Sequence, residues 1–201
     1  MYLGIDVGTS KVAAVIADAS GALVAVASSP HGADLPAPAG RAEQDAAALV
    51  AAAWARVVDL PADLRRRVRA VGVTGQMHGV VVLDAAGAPL APLVTWQDGR
   101  CLAPGETLLA DLAARTGYTL RSGFGGATLA WLVGRGAWPE GAAAAATIHD
   151  LVVARLCGHA RPVTDPTDAA SWGLFDLRAL TWDDRAAAAA GIPAGVLPEV
   201  R

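Results

Sequence analysis

The sequence predicts an α/β domain with a mixed sheet and flanking helices, on three observations. The amino terminus is a run of short apolar strands joined by tight turns, the apolar period switches abruptly to a helical one at Asp45, and strands and helices alternate thereafter. Residues 2–7, 11–18 and 22–28 are apolar or alternating runs broken by Gly8-Thr9-Ser10 and by "DASG", the pattern of a three-stranded antiparallel meander. From there Ala46, Leu49, Val50, Ala53, Trp54, Val57 and Val58 recur at helical spacing behind Asp45, which is placed as a cap, so an amphipathic helix is expected to pack on the sheet. "RVRAVGVTG" returns to strand alternation. After the polar interruption "QMHG" a second apolar run, "VVVLD", ends in the turn "AAGAP". Helices are expected near 104–115, 127–134, 148–157 and 183–190, separated by "TGYTLRSGFGG", "WPEG" and "RPVTDPTDAASW". The closing "GIPAGVLPEVR" reads as neither strand nor helix, as if the chain were cut off there.

Length and composition bound the class. A chain of 201 residues can bury one large core, and a single domain is the expectation. The apolar fraction of 54% is swollen by alanine, and no uninterrupted apolar stretch has the length of a bilayer span, which predicts a soluble protein with no membrane partner. A net charge of −3 gives no basic footprint for nucleic acid; Arg65, Arg66, Arg67 and Arg69 alternate with apolar residues ahead of a strand and read as a solvated helix end. Cys101 and Cys157 lack paired spacing, which argues against a zinc site or a disulfide scaffold and fits a reducing cytoplasm. Met1 is followed at once by strand pattern, without the cationic and apolar regions of a signal peptide. Lys11 is the only lysine.

Three stretches carry chemistry. In "DVGTS" the glycine lets the backbone turn sharply, so that its amides and the hydroxyls of Thr9 and Ser10 can face an anion while Asp6 is placed to hold a hydrated magnesium ion. A plain hairpin turn capped by an aspartate accounts for the same five residues, and neither the P-loop nor the dinucleotide-binding glycine pattern is present. "TGQMHGVVVLD" sets Gln76, Met77 and His78 at the break between two strands, an amide, an apolar surface and an imidazole that a polyol could use; a turn with one exposed histidine is the competing reading. "VTWQDGR" sets Trp96 beside Asp98 and Arg100, an indole face for sugar carbons next to charged groups for hydroxyls, or else a core tryptophan followed by a polar turn.

Taken together and in order, "YLGIDVGTS", "EQD", "GQMHGVVVLD", "VTWQDGR", "SGFGGATLAWL", "TIHDLVVARLCG" and "TDPTDAASWGLFDL" resemble the amino-terminal domain of the FGGY carbohydrate kinases across residues 1–201. Within that family "VTWQDGRC", "SGFGGAT" and "TIHD" resemble the sedoheptulokinase pattern better than the xylulokinase one, and Thr128 stands where many members carry a lysine. The resemblance implies the ribonuclease-H-like fold of the sugar kinase, actin and heat-shock ATPase superfamily. It implies ATP and Mg as cofactors, with Asp6, Gly8, Thr9 and Ser10 facing the phosphates and metal and Lys11 just behind. Gln76, Met77, His78, Trp96, Asp98 and Arg100 would line the sugar site, and Asp150 and Asp168 would sit near the cleft, where either could equally be a helix cap or turn acid. The small residues of "SGFGGAT" would give room for a longer ketose. The expected reaction is γ-phosphoryl transfer from ATP to a ketose hydroxyl, sedoheptulose before xylulose, in a cytoplasmic enzyme that leaves room for a homodimer. No catalytic residue is expected in this chain, because the family's carboxylate base and adenosine site belong to a further, carboxy-terminal domain. The rival class is a noncatalytic sugar-binding module on the same fold.

Overall fold

Two tight turns fold the first three strands back on one another in the computed structural model, which describes residues 1–201. β1 (Tyr2–Val7), β2 (Lys11–Ala17) and β3 (Leu23–Pro30) form the expected antiparallel meander, with Val7 opposite Val12 and Val15 opposite Val26. Alternation then divides the faces: Leu3, Ile5, Val7, Val12, Ala14 and Ile16 are buried, while Asp6 and Lys11 are exposed. After the two-residue β4 (Glu43–Gln44), α1 (Ala46–Asp59) begins at Asp45, whose carboxylate accepts the Ala48 N–H at 3.0 Å. Its buried stripe of Leu49, Ala53 and Val57 joins the buried face of the sheet in one apolar cluster. The short α2 (Ala62–Arg65) ends in the arginine run, whose Arg66, Arg67 and Arg69 are exposed as a solvated helix end should be.

The return strand β5 (Ala70–Gly75) pairs parallel to β1, which gives the sheet order β3-β2-β1-β5. That parallel pairing positions the site. Val7 lies opposite Gly75, so β1 and β5 finish side by side, and the residues that follow them, Gly8–Ser10 and Gln76–Gly79, leave the sheet at one edge. The Gln76 N–H donates to the Val7 carbonyl at 2.9 Å across that junction.

A second layer follows: β6 (Val81–Leu83), β7 (Leu93–Val94), a 3-10 turn (Arg100–Leu102), α3 (Leu108–Thr116), α4 (Gly125–Gly134), β8 (Ala144–Ala146), α5 (Ile148–Cys157), β9 (Val163–Thr164), α6 (Pro166–Ala170), β10 (Phe175–Asp176), β11 (Thr181–Trp182), α7 (Asp184–Ala189) and β12 (Glu199–Val200). The closing residues therefore do include a strand: β12 pairs parallel with β9, a two-residue pairing too short to leave a period in the sequence. The alanine run near 142–147 likewise contains β8, a buried strand antiparallel to β6. This pair separates two cores. Val81, Leu83, Ala144 and Ala146 face the cluster under the main sheet, while Val80, Val82 and Ala145 face a second cluster built around Trp172, Leu129 and Leu112. No helix is long and apolar enough to cross a membrane.

Candidate functional site

The turn after β1 is built to expose donors. Gly8 closes it by donating its N–H to the Lys11 carbonyl at 3.0 Å, and a Cβ at this position would stand 3.2 Å from that same oxygen. The N–H groups of Thr9 and Ser10 then meet no protein acceptor. Asp6, one residue before the strand ends, is exposed on the sheet face away from α1, and Ser10 and Lys11 are exposed too. Two free amides, a hydroxyl and a lone carboxylate at one turn can receive a phosphate and the cation that travels with it.

The elbow after β5 lies next to that turn. Gln76 is buried, Met77 is 51% exposed and His78 is half-buried with φ of +71°, a left-handed conformation that a histidine adopts only where its surroundings hold it. They do hold it. Nδ1 of His78 lies 2.7 Å from the Ser171 carbonyl, and the ring stacks on Phe124 with centroids 4.5 Å apart. A carbonyl can only accept, so Nδ1 carries the hydrogen and Nε2 of the neutral ring is an acceptor. Trp96, 45% exposed, donates its indole N–H to Thr9 Oγ1 at 3.0 Å and so joins the expected sugar side to the expected phosphate side. Gly123 is packed so tightly on the Trp96 carbonyl that a Cβ there would overlap it, which fixes the loop carrying Phe124 against the indole's backbone.

Asp98 and Arg100 are turned the other way, a correction to their expected place on the sugar surface. The Asp98 side chain is wholly buried and accepts from Arg100 Nε at 2.7 Å, from the Arg100 N–H at 2.9 Å and from the Ala42 N–H at 2.8 Å. Arg100 also binds Glu43 at 2.6 Å and lies over the Trp131 ring. Burial pushes the Asp98 carboxyl upward, but the Arg100 bonds outweigh it and hold its pKa below the ordinary value. This ion pair anchors the loop that presents Trp96. The small residues of "SGFGGAT" serve packing: Cβ atoms on Gly125 and Gly126 would meet Trp172 at 2.7 Å, so these glycines admit Trp172.

Asp150, with half-buried His149 at the start of α5, and Asp168, on α6, are buried side by side. Asp168 Oδ2 accepts from Thr147 at 2.8 Å, from Thr164 at 3.3 Å and from His149 Nε2 at 3.1 Å. Burial, with the neighbouring Asp168 charge, raises the Asp150 pKa to about 7. Burial works against a charged His149, yet the Asp168 carboxylate outweighs it and raises the histidine's pKa; the same partnership holds Asp168 low against its own burial. The Thr147 and Thr164 hydroxyls occupy one Asp168 oxygen, while Asp150 Oδ2 and His149 Nδ1 meet no protein partner. The trio staples α5 to α6 through His149 and Asp168, and it stands behind the site: Asp168 also lies 3.5 Å from the hydroxyl of Ser171, whose carbonyl holds His78.

Comparison with known proteins settles the kinship. Residues 1–201 match the amino-terminal domain of the FGGY family of carbohydrate kinases. The chain belongs to that family. It is 36% identical to the sedoheptulokinase of Mus musculus over 98% of its own length, and 32% identical to a glycerol kinase of Bordetella parapertussis, again over 98%. Among solved structures it superposes on a xyloylose kinase from Brucella ovis with a TM-score of 0.87 at 28% identity, covering 100% of this chain and 43% of that one. Such neighbours carry the ribonuclease-H-like fold of sugar kinases, to which the sheet order here conforms. The chain spans about half the length of the curated relatives it matches, 46% of the mouse protein and 42% of the Bordetella one.

Four residues of this FGGY domain escape a reading of the sequence. Gln44, His31, Phe124 and Ser171 all touch the predicted site residues, through partners between 22 and 93 positions away in the three hydrogen-bonded cases. Gln44, Phe124 and Ser171 lie inside the quoted stretches "EQD", "SGFGGAT" and "TDPTDAASW" without being singled out there, and His31 lies in none of them.

Proposed function

We propose that residues 1–201 form the ketose-binding half of an ATP-dependent sugar kinase whose substrate is sedoheptulose. The observation that carries this reading is the Trp96–Thr9 bond of 3.0 Å, which brings a turn of free phosphate donors and a rim of Trp96, Met77 and His78 into one surface. The resemblance to sedoheptulokinase at 36% identity supports the sugar, against 32% for glycerol kinase.

The chain's own residues divide the work. Free N–H groups of Thr9 and Ser10 bind phosphate oxygens, and the Thr9 hydroxyl, which accepts from Trp96, keeps its own hydrogen for a further one. Lys11 adds positive charge just behind. The Trp96 face packs on sugar carbons, Met77 lends apolar contact, and His78 Nε2 accepts a sugar hydroxyl in a pose set by Ser171 and Phe124. An exposed carboxylate without an internal partner suits magnesium, which takes few protein ligands and fills its shell with water and phosphate oxygens, so Asp6 would hold it. When bound, magnesium would offset the charge that accumulates on the phosphate oxygens. In the transfer, the ketose oxygen bonds to the γ-phosphorus as the bond to the β-phosphate oxygen breaks, and the hydroxyl proton passes to a carboxylate. With Asp6 assigned to magnesium, we assign that base to the part of the relatives' length this chain does not span.

The test is the specificity constant of the full-length protein for sedoheptulose, xylulose and glycerol with MgATP. Each hydroxyl contact contributes about 1 kcal/mol, and sedoheptulose offers two more hydroxyls than xylulose, so it should lead by roughly thirtyfold. A lead for xylulose or glycerol overturns the assignment of the sugar, and no turnover with any of them overturns the kinase reading.

A further inference from the structure

The turn after β1 and the elbow after β5 share a buried connection whose polarity can be worked out from groups that only donate or only accept. The Ala33 N–H donates to His31 Nδ1 at 3.0 Å, so the hydrogen of that ring sits on Nε2, which donates to the Thr9 carbonyl at 2.8 Å. Gln44, 2% exposed, meets the same carbonyl and the Asp34 carboxylate, both at 2.8 Å and both pure acceptors, so its NH₂ must face them. The Gln44 oxygen therefore points to Gln76 and accepts its Nε2–H at 2.7 Å. Gln76 in turn has its orientation dictated: Oε1 is left as an acceptor, buried and with no protein donor. A chain of fixed amides thus runs from the phosphate-facing Thr9 to the sugar-facing Gln76, with Gln44 at its centre.

We propose that Gln44 is a positioning residue that couples the two halves of the site, holding the Thr9 turn with its NH₂ and setting the Gln76 amide with its oxygen. The inference rests on the functional reading above in what the two halves bind. It follows that whatever reaches the covered Gln76 Oε1 must be a donor such as a hydroxyl, and that Gln44 acts on the ketose only through Gln76 while acting on the nucleotide directly through Thr9. Both are consequences of which atom faces which, and a residue that merely fills space would produce neither.

The experiment is a double-mutant cycle in the full-length protein with Gln44→Met and Gln76→Met, near-isosteric changes that keep volume and remove the polar ends. Dissociation constants for MgADP and for sedoheptulose are measured separately by calorimetry, with the melting temperature as a control for folding. Gln44→Met should weaken both ligands by about tenfold, the effect of losing one buried hydrogen bond. In the Gln76→Met background its effect on the ketose should vanish while its effect on the nucleotide persists. An undiminished ketose effect in that background, or no effect on either ligand, overturns the coupling. A second readout needs no ligand. In the 201-residue chain the Gly8 N–H, bound to Lys11 at 3.0 Å, should exchange several-fold faster in Gln44→Met while Leu49 and Ala53 of α1 keep their rates. Unchanged Gly8 exchange removes the hold on the turn. Should the wild type bind no ketose, the functional reading falls and the Gly8 exchange alone decides whether Gln44 holds the turn.

Discussion

Arg100 lies with its guanidinium on two carboxylates and its flat face over Trp131, so it answers to stability before it answers to any ligand. Replacing it with alanine leaves Asp98 ionised, wholly buried and short of its main partner, and breaking a buried pair from one side costs about 3–5 kcal/mol. We therefore expect Arg100→Ala to lower the unfolding free energy by roughly that amount in denaturant titrations. An unchanged midpoint with a weakened ketose affinity would return Arg100 to the sugar surface that its sequence context suggested. "VTWQDGR" could not decide between the two, because an Asp-Gly-Arg turn reads alike whether it faces in or out, and Glu43, the partner that settles it, lies 57 positions earlier. Residues whose chemistry depends on local backbone alone were legible: Gly8 closing the turn, Thr9 and Ser10 beside it, and Asp45 as a cap are all where the spacing put them.

At the scale of elements, legibility followed length. The meander and α1 carry six or more residues each at one period, and the sequence announces them. β4, β7, β9 and β12 are two residues long and exist only because a distant segment lies alongside, so no local pattern encodes them. The same blindness to distant partners hid the purpose of the glycines opening α4, which are small because Trp172 presses on them. Gly126→Ala puts a methyl group 2.7 Å from the Trp172 carbonyl and 2.9 Å from the Leu174 side chain. Overpacking of this kind costs about 1–3 kcal/mol, so the melting temperature of the chain should fall by several degrees in calorimetry. A chain that melts as the wild type does would mean that this end of α4 yields freely.

The whole molecule is two apolar cores divided by β6 and β8, and the His149, Asp150 and Asp168 staple sits where they meet. Ile148 and Leu151, beside it on α5, belong to the core under the main sheet, and Trp172, just past α6, belongs to the other. Its protonation should therefore be felt in global stability. Asp150 has a folded pKa of about 7, raised by burial and by Asp168 above the model-peptide value of 3.8, so the folded state holds a proton that the unfolded state has released across that interval. Stability from Asp150 is present below about pH 4 and lost as pH climbs towards 7. His149, whose folded pKa is also raised, contributes below its ordinary value of 6.5 and loses that contribution as pH rises through the folded one. Asp168 is held low and contributes in the opposite sense, losing its share only as pH falls below the usual carboxylate range, outside the window in which the other two titrate. The sum in that window slopes downward with pH, by at most about 1.4 kcal/mol per pH unit for each group. The chain should accordingly melt several degrees higher at pH 5.5 than at pH 8, and Asp150→Asn, which keeps the shape of the neutral acid and cannot ionise, should remove much of the difference. A melting temperature that rises from pH 5.5 to 8, or a slope untouched by Asp150→Asn, would show that the seam is held by packing alone and that the buried protons are bystanders.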